Sequence, residues 1–101
     1  MMQSEFEHNL WGAKLIRRLC HGPELSLFQG YRRGLRRNFH GAAFGTEDEH
    51  TRWLSLKDAS GDDNTLRCRG IGYDMGLKGK SISQVIKYLK YLQEPSQATE
   101  E

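Results

Sequence analysis

GYRRGLRRNFHG at positions 30–41 and GYDMGLKGKS at positions 72–81 decide how this chain folds. Both begin Gly-Tyr-x-x-Gly-Leu, and the second starts 42 positions after the first (30 to 72) in a chain of 101 residues. Glycine inside a helix costs about 0.5–1 kcal/mol relative to alanine. Two glycines four apart, written twice, therefore need a compensating gain. Close approach of two helices across a strip without side chains is the simplest one, with Tyr31 and Tyr73 packed beside it.

Working outward from the first copy, Pro23 suits the first turn of a helix that runs to about His40 and stops at Gly41. At 100° per residue, Leu27, Phe28, Tyr31, Leu35 and Phe39 fall on one arc. Arg32, Arg33, Arg36 and Arg37 fill the opposite side, and Gly30 and Gly34 share a boundary. Upstream, Ser4 to Glu7 reads as a capping box, and Phe6, Leu10, Ala13, Ile16 and Cys20 repeat at helical spacing until His21-Gly22-Pro23. Downstream, Thr46-Glu47-Asp48-Glu49 is a second capping box, leading a short helix through Trp53, Leu54 and Leu56.

Residues 58–65 (DASGDDNT) read as an acidic loop. The second phrase lies in a helix from about Thr65 to Lys78, apolar on two sides, so this copy is expected to be the buried one and the arginine copy the exposed one. Ser81 to Gln84 starts a last helix lined by Ile82, Val85, Ile86, Leu89 and Leu92, stopped by Glu94-Pro95. The expected fold is all-α, a compact bundle of four to five short helices that allows two duplicated helix-turn-helix units. Residues 1–93 form one helical domain and 94–101 a disordered acidic tail.

The charge is polarised. Residues 1–45 carry seven basic and three acidic side chains, residues 46–65 two and six, residues 66–92 six and one, and the last nine carry three acids, for a net +2. No apolar run approaches the roughly 20 residues that cross a bilayer. The N-terminal stretch lacks the pattern of a secretion signal. A cytoplasmic protein with no membrane partner is expected, with Cys20 and Cys68 as free buried thiols or one bridge.

Gly72-Tyr73-x-x-Gly76-x-x-Gly79-Lys80-Ser81 resembles the Gly-Tyr-x-x-Gly-x-x-Gly-[Arg/Lys]-Ser motif of the ribosome modulation factor and small ciprofloxacin-resistance protein family. Gly30-Tyr31-x-x-Gly34 followed by Arg52-Trp53-Leu54 echoes the helix, linker and tryptophan-bearing helix of that family. The second copy lacks the tryptophan, and neither copy is followed by the family's proline-tyrosine linker. The resemblance implies a small basic helical protein that binds ribosomal RNA or another large partner.

Other motifs fall short of their chemistry. Gly79-Lys80-Ser81 ends like a phosphate-binding loop, but Asp74 stands where the first glycine belongs. Asp58, Ser60, Asp62 and Asn64 alternate like a calcium loop, yet its sixth position is Asp63 and its twelfth Arg69. Cys20, His21, His40, His50 and Cys68 match no zinc spacing. No serine or cysteine has an evident base partner. Hence no catalytic residue, metal or cofactor is expected.

The arginine face remains. Arg32, Arg33, Arg36 and Arg37 form an array of forked donors suited to phosphate, extended by Arg17 and Arg18 and, if the two copies pack together, by Lys78 and Lys80. The expected function is a non-enzymatic regulatory protein that binds nucleic acid, with RNA or a ribosomal surface ahead of DNA. An adaptor or inhibitor that docks this helix on an acidic protein is the alternative, and a homodimer paired through the glycine grooves is a third. The same arginines also suit a solvated face or internal pairing with Glu47, Asp48 and Glu49.

Overall fold

The computed structural model describes residues 2–59 and 64–92, and every regular element among them is helical. Five α-helices follow one another: α1 Met2–Ile16, α2 Gly22–His40, α3 Glu47–Ser55, α4 Asn64–Leu77 and α5 Ile82–Leu92. Single 3-10 turns follow α1, α2 and α3, at Arg17–Leu19, Gly41–Ala43 and Leu56–Asp58. The all-α bundle expected from the sequence is the observed fold. The expected tail, 94–101, lies outside the described residues, as do positions 60–63 of the acidic loop.

The helix ends obey local chemistry. Thr46 Oγ1 accepts the Glu49 N–H at 3.1 Å and starts α3. Ser81 and Gln84 bond reciprocally ahead of α5: the Gln84 N–H donates to Ser81 Oγ at 3.3 Å, and the Ser81 N–H donates to Gln84 Oε1 at 2.9 Å. Gly41, at φ 70°, ends α2. After α4, Gly79 takes φ 72°, while Gly79 N–H donates to Gly76 O and Lys80 N–H to Met75 O, the paired bonds of a Schellman stop. Ser4 is not an N-cap: α1 already contains Met2 and Gln3, both good helix formers. The helix also ends at Ile16, short of the expected Cys20, although Cys20 stays buried and its thiol donates to Ile16 O.

The centre of the molecule is the crossing of α2 and α4. A methyl group on Gly30 would stand 2.0 Å from the Arg69 carbonyl oxygen, and one on Gly72 would stand 2.0 Å from the Leu27 carbonyl oxygen. Leu27 and Arg69 are themselves 42 positions apart, so the two contacts are images of each other under exchange of the copies. Gly34 and Gly76 repeat the relation, facing Tyr73 O and Tyr31 O at 2.1 and 2.4 Å. The paired glycines thus let two backbones touch, and the crossing has a pseudo-two-fold axis. The grooves of one copy are filled by the other within a single chain. They are not available for pairing with a second chain.

Neither copy is peripheral. Leu27, Phe28 and Tyr31 of α2 are fully buried, as Cys68 and Tyr73 of α4 nearly are. The expectation of one exposed spine fails because α2 is also covered by α1, through Ala13, Leu10 and the stacked rings of Phe6 and Phe39 at 4.3 Å. Both tyrosines anchor the crossing. Tyr31 donates its hydroxyl to Lys80 O at 2.5 Å, and Tyr73 Oη meets His50 Nδ1 at 2.7 Å. Burial raises both phenols above the usual tyrosine range, Tyr31 the more strongly, so both stay protonated and neutral. Asn9 of α1, itself buried, accepts the Ile82 N–H at 2.9 Å and ties the start of α5 to the first helix.

Candidate nucleic-acid interface

The four arginines of α2 divide into two pairs with different surroundings. Arg33 and Arg37 turn toward the start of α3. Arg33 meets Glu49 at 2.5 Å, with its guanidinium over the rings of Phe44 (5.0 Å) and Trp53 (5.6 Å). Arg37 is only 9% exposed; it donates to Phe44 O at 3.1 Å and to Glu47 at 3.0 Å. These two residues lock α3 onto α2. Expected as phosphate ligands, they are instead neutralised by acids of the molecule's own capping segment. The physical reason is the positive φ of Gly41 and Gly45, which turns the chain so that Glu47 and Glu49 return to the α2 surface.

Arg32 and Arg36 lie on the other flank of α2, against α1. Since Phe6 stacks on Phe39, the two helices run antiparallel, and successive turns of α1 pass down α2. A hollow of about 670 Å³ opens between them, lined by Ser4, Glu7, His8, Leu10, Trp11 and Lys14 of α1 and by Arg32 and Arg36 of α2. Burial first, then the like charges of Arg17 and Arg36, holds the Arg32 guanidinium below its ordinary range. It remains protonated at neutral pH. The Nε–H groups of Arg17 and Arg32 are shut off from solvent and have no acceptor among the described residues. Arg18, one residue on, is exposed.

The remaining expected ligands lie elsewhere. Lys78 pairs with Asp74 at 3.0 Å, and Asp74 also meets Lys57 at 3.6 Å. Lys80 is exposed at the α4–α5 corner, where its neighbours Gly79 and Ser81 line a separate hollow with Ser4, Glu5, His8 and Asn9. The structure therefore brings Arg32 and Arg36 to one hollow, with Arg17 close enough to act on Arg32, and pairs Lys78 with Asp74. Arg18 and Lys80 stay exposed, Lys80 at a corner whose hollow shares Ser4 and His8 with the larger one.

Sequence reasoning missed Lys14 and Trp11. Trp11 is 59% exposed at the edge of the hollow, with the Lys14 ammonium 5.7 Å from its ring centroid. The signal was present, because Trp11 is the one aromatic of α1 off the Phe6-Leu10-Ala13 face. Leu15, one turn on from Trp11, is exposed as well, as is Leu19 in the turn that follows the helix.

Among the described residues no three His, Cys, Asp or Glu side chains converge as a metal site would require, and no helix is long and apolar enough to cross a membrane. Cys20 and Cys68 are buried free thiols. Compared with known proteins, the chain matches no family model, no curated protein and no solved structure.

Proposed function

We propose that this is a small, non-enzymatic, cytoplasmic regulatory protein that binds nucleic acid, RNA or a ribosomal surface ahead of DNA, through the basic groove between α1 and α2. The observation that carries the reading is that Lys14, Arg32 and Arg36 line one hollow, with the charge of Arg17 acting on Arg32 as well. Like charges held together, two of them with unpartnered buried Nε–H groups, oppose folding rather than support it. A polyanion would relieve that repulsion on binding, and Lys14 and Arg18 extend the basic surface along α1. The resemblance of the Gly-Tyr-x-x-Gly-x-x-Gly segment to ribosome modulation factors points the same way.

Binding to phosphate makes affinity fall steeply with salt. The test is fluorescence anisotropy of labelled RNA and duplex DNA at several salt concentrations, with Arg32→Gln/Arg36→Gln and Arg33→Gln/Arg37→Gln as paired double variants. Loss in the first pair, with a flatter salt dependence, supports the reading. Unchanged affinity in the first pair rejects the site.

A second reading, an adaptor for an acidic protein, draws on the exposed apolar side chains of Trp11 and Leu15 on α1 and Leu19 in the turn that follows it. Leu15→Ser/Leu19→Ser separates the two, since it leaves phosphate binding intact and disrupts a protein interface centred on that stripe.

A further inference from the structure

We infer that the α1–α2 hollow is a seat for one unpaired nucleotide, with a base against Trp11 and its phosphate toward Arg32 and Arg36, so that the preferred ligand is a single-stranded nucleic acid. This rests on the nucleic-acid reading above and narrows it.

Three features carry it. First, the cations line a recess, not a ridge. A duplex keeps its bases stacked inside and offers phosphates along a convex surface, whereas a recess suits a base turned out of a strand. At about 670 Å³ the hollow is within the range of small-molecule sites.

Second, an exposed indole borders the same recess as the guanidinium groups. Burying Trp11 would have been favourable to folding, and nothing in the core requires the ring at that position. A base and its own phosphate use an aromatic face and a guanidinium together. The carboxylates of an acidic peptide would use only the guanidinium groups.

Third, the recess is polar along its length. In the antiparallel register set by Phe6 on Phe39, Ser4 and Glu7 lie toward one end, Arg36 beside the middle, and Lys14 and Arg32 toward the other end. Glu7 is itself engaged within the fold. A phosphate is therefore drawn toward the Lys14 and Arg32 end, away from Glu7, which orients the strand along the groove.

The experiment compares the whole chain against a labelled single-stranded RNA of roughly 12 nucleotides, a length that spans a typical single-strand site, and against the same sequence as a duplex. Polyglutamate serves as an anionic competitor without bases. Variants are Trp11→Ala, Trp11→Phe and Arg32→Gln/Arg36→Gln, each checked by thermal melting. Trp11 is mostly solvent-exposed, so its variants should melt like the parent.

The single strand should bind more tightly than the duplex. Trp11→Ala should weaken it by roughly 5- to 150-fold, the size of one base–aromatic stack, and Trp11→Phe should restore most of the loss. Tryptophan emission should be quenched on binding in the parent and not in Trp11→Phe. Equal affinity for strand and duplex, with Trp11→Ala unchanged, overturns the nucleotide seat and leaves phosphate binding standing. Competition by polyglutamate at parity with RNA also overturns it. Failure to bind any nucleic acid removes the broader reading as well.

Discussion

The two glycine-tyrosine copies are alike where they touch and opposite where they face outward. Gly30, Tyr31 and Gly34 match Gly72, Tyr73 and Gly76 in sequence and in the backbone atoms they approach. Forty-two positions on, however, Arg32 becomes Asp74, Arg33 becomes Met75, Arg36 becomes Lys78 and Arg37 becomes Gly79. In the second copy the outer face is closed: Asp74 is flanked by Lys57 and Lys78, Met75 packs against the core, and Gly79 ends the helix. In the first copy one flank is closed by Glu47 and Glu49, and the other gathers cations beside a hollow. The shared inner face is the requirement of the fold, and the difference outside puts the cation-lined hollow on the first copy.

The largest expected effect breaks the shared face. Gly72→Ala drives a methyl group into the Leu27 carbonyl, and Gly30→Ala does the same at Arg69; both contacts are backbone, so neither can yield by rotating a side chain. Each should cost about 3 kcal/mol or more, the upper range of overpacking. For a domain of this size that lowers the melting temperature by more than about 10 °C. One separation of α2 from α4 relieves both clashes. The double variant should therefore cost less than the two singles added, measured by urea denaturation of all three. Full additivity would mean that the two contacts are not coupled through one crossing. Gly12→Ala is the control, since there the methyl group meets only the Ile82 side chain at 3.2 Å.

Next comes the contrast between equivalent outer positions. Arg37→Met removes a buried guanidinium from Phe44 O and Glu47, at a cost of about 2 kcal/mol. Lys78→Met removes a mostly exposed ammonium from Asp74, which keeps Lys57, and should cost no more than about 0.5 kcal/mol. Arg32→Gln should go the other way. It relieves repulsion from Arg17 and Arg36, so the fold should be unchanged or up to about 1 kcal/mol more stable while RNA affinity falls. A destabilised Arg32→Gln variant would mark that residue as structural and blunt the difference between the copies.

Much of the fold was legible because its signals are local. The caps at Thr46 and Ser81, the stop at Gly41 and the core arc of α2 each depend on a few neighbouring residues. The glycine spacing further implied the crossing. The site was only half legible. Helical periodicity placed four arginines on one side of α2, but that side is flanked by α1 along one edge and by α3 along the other. Which edge each arginine takes depends on the turn through Gly41 and Gly45, which periodicity does not encode. The pairing with Glu47 and Glu49 was an open alternative in the sequence, and it holds for Arg33 and Arg37. Trp11 was overlooked because it belongs to no core stripe, which is the reason it stands exposed at the edge of the groove.

The smallest expected effect tests the closed flank of the first copy by pH. The hydrogen bond from Arg33 holds the Glu49 carboxyl below its ordinary range against the opposing effect of partial burial, helped by the Arg33 charge, the Thr46 backbone and Arg52. A carboxyl whose folded pKa lies below its unfolded value stabilises the fold fully above the unfolded value, near 4.5. That contribution is lost as pH falls through the depressed folded value. Melting temperatures measured downward from neutral pH should therefore decline more steeply in the parent than in Glu49→Gln, whose amide cannot titrate, and the two curves should draw together in acid. Arg33→Gln should flatten the parent's decline in the same way, because it removes the donor responsible. Parallel curves for parent and Glu49→Gln would show that Glu49 does not hold α3 to α2. Arg33 would then be released to join Arg32 and Arg36 as a ligand, and the line drawn between the closed and open flanks would move.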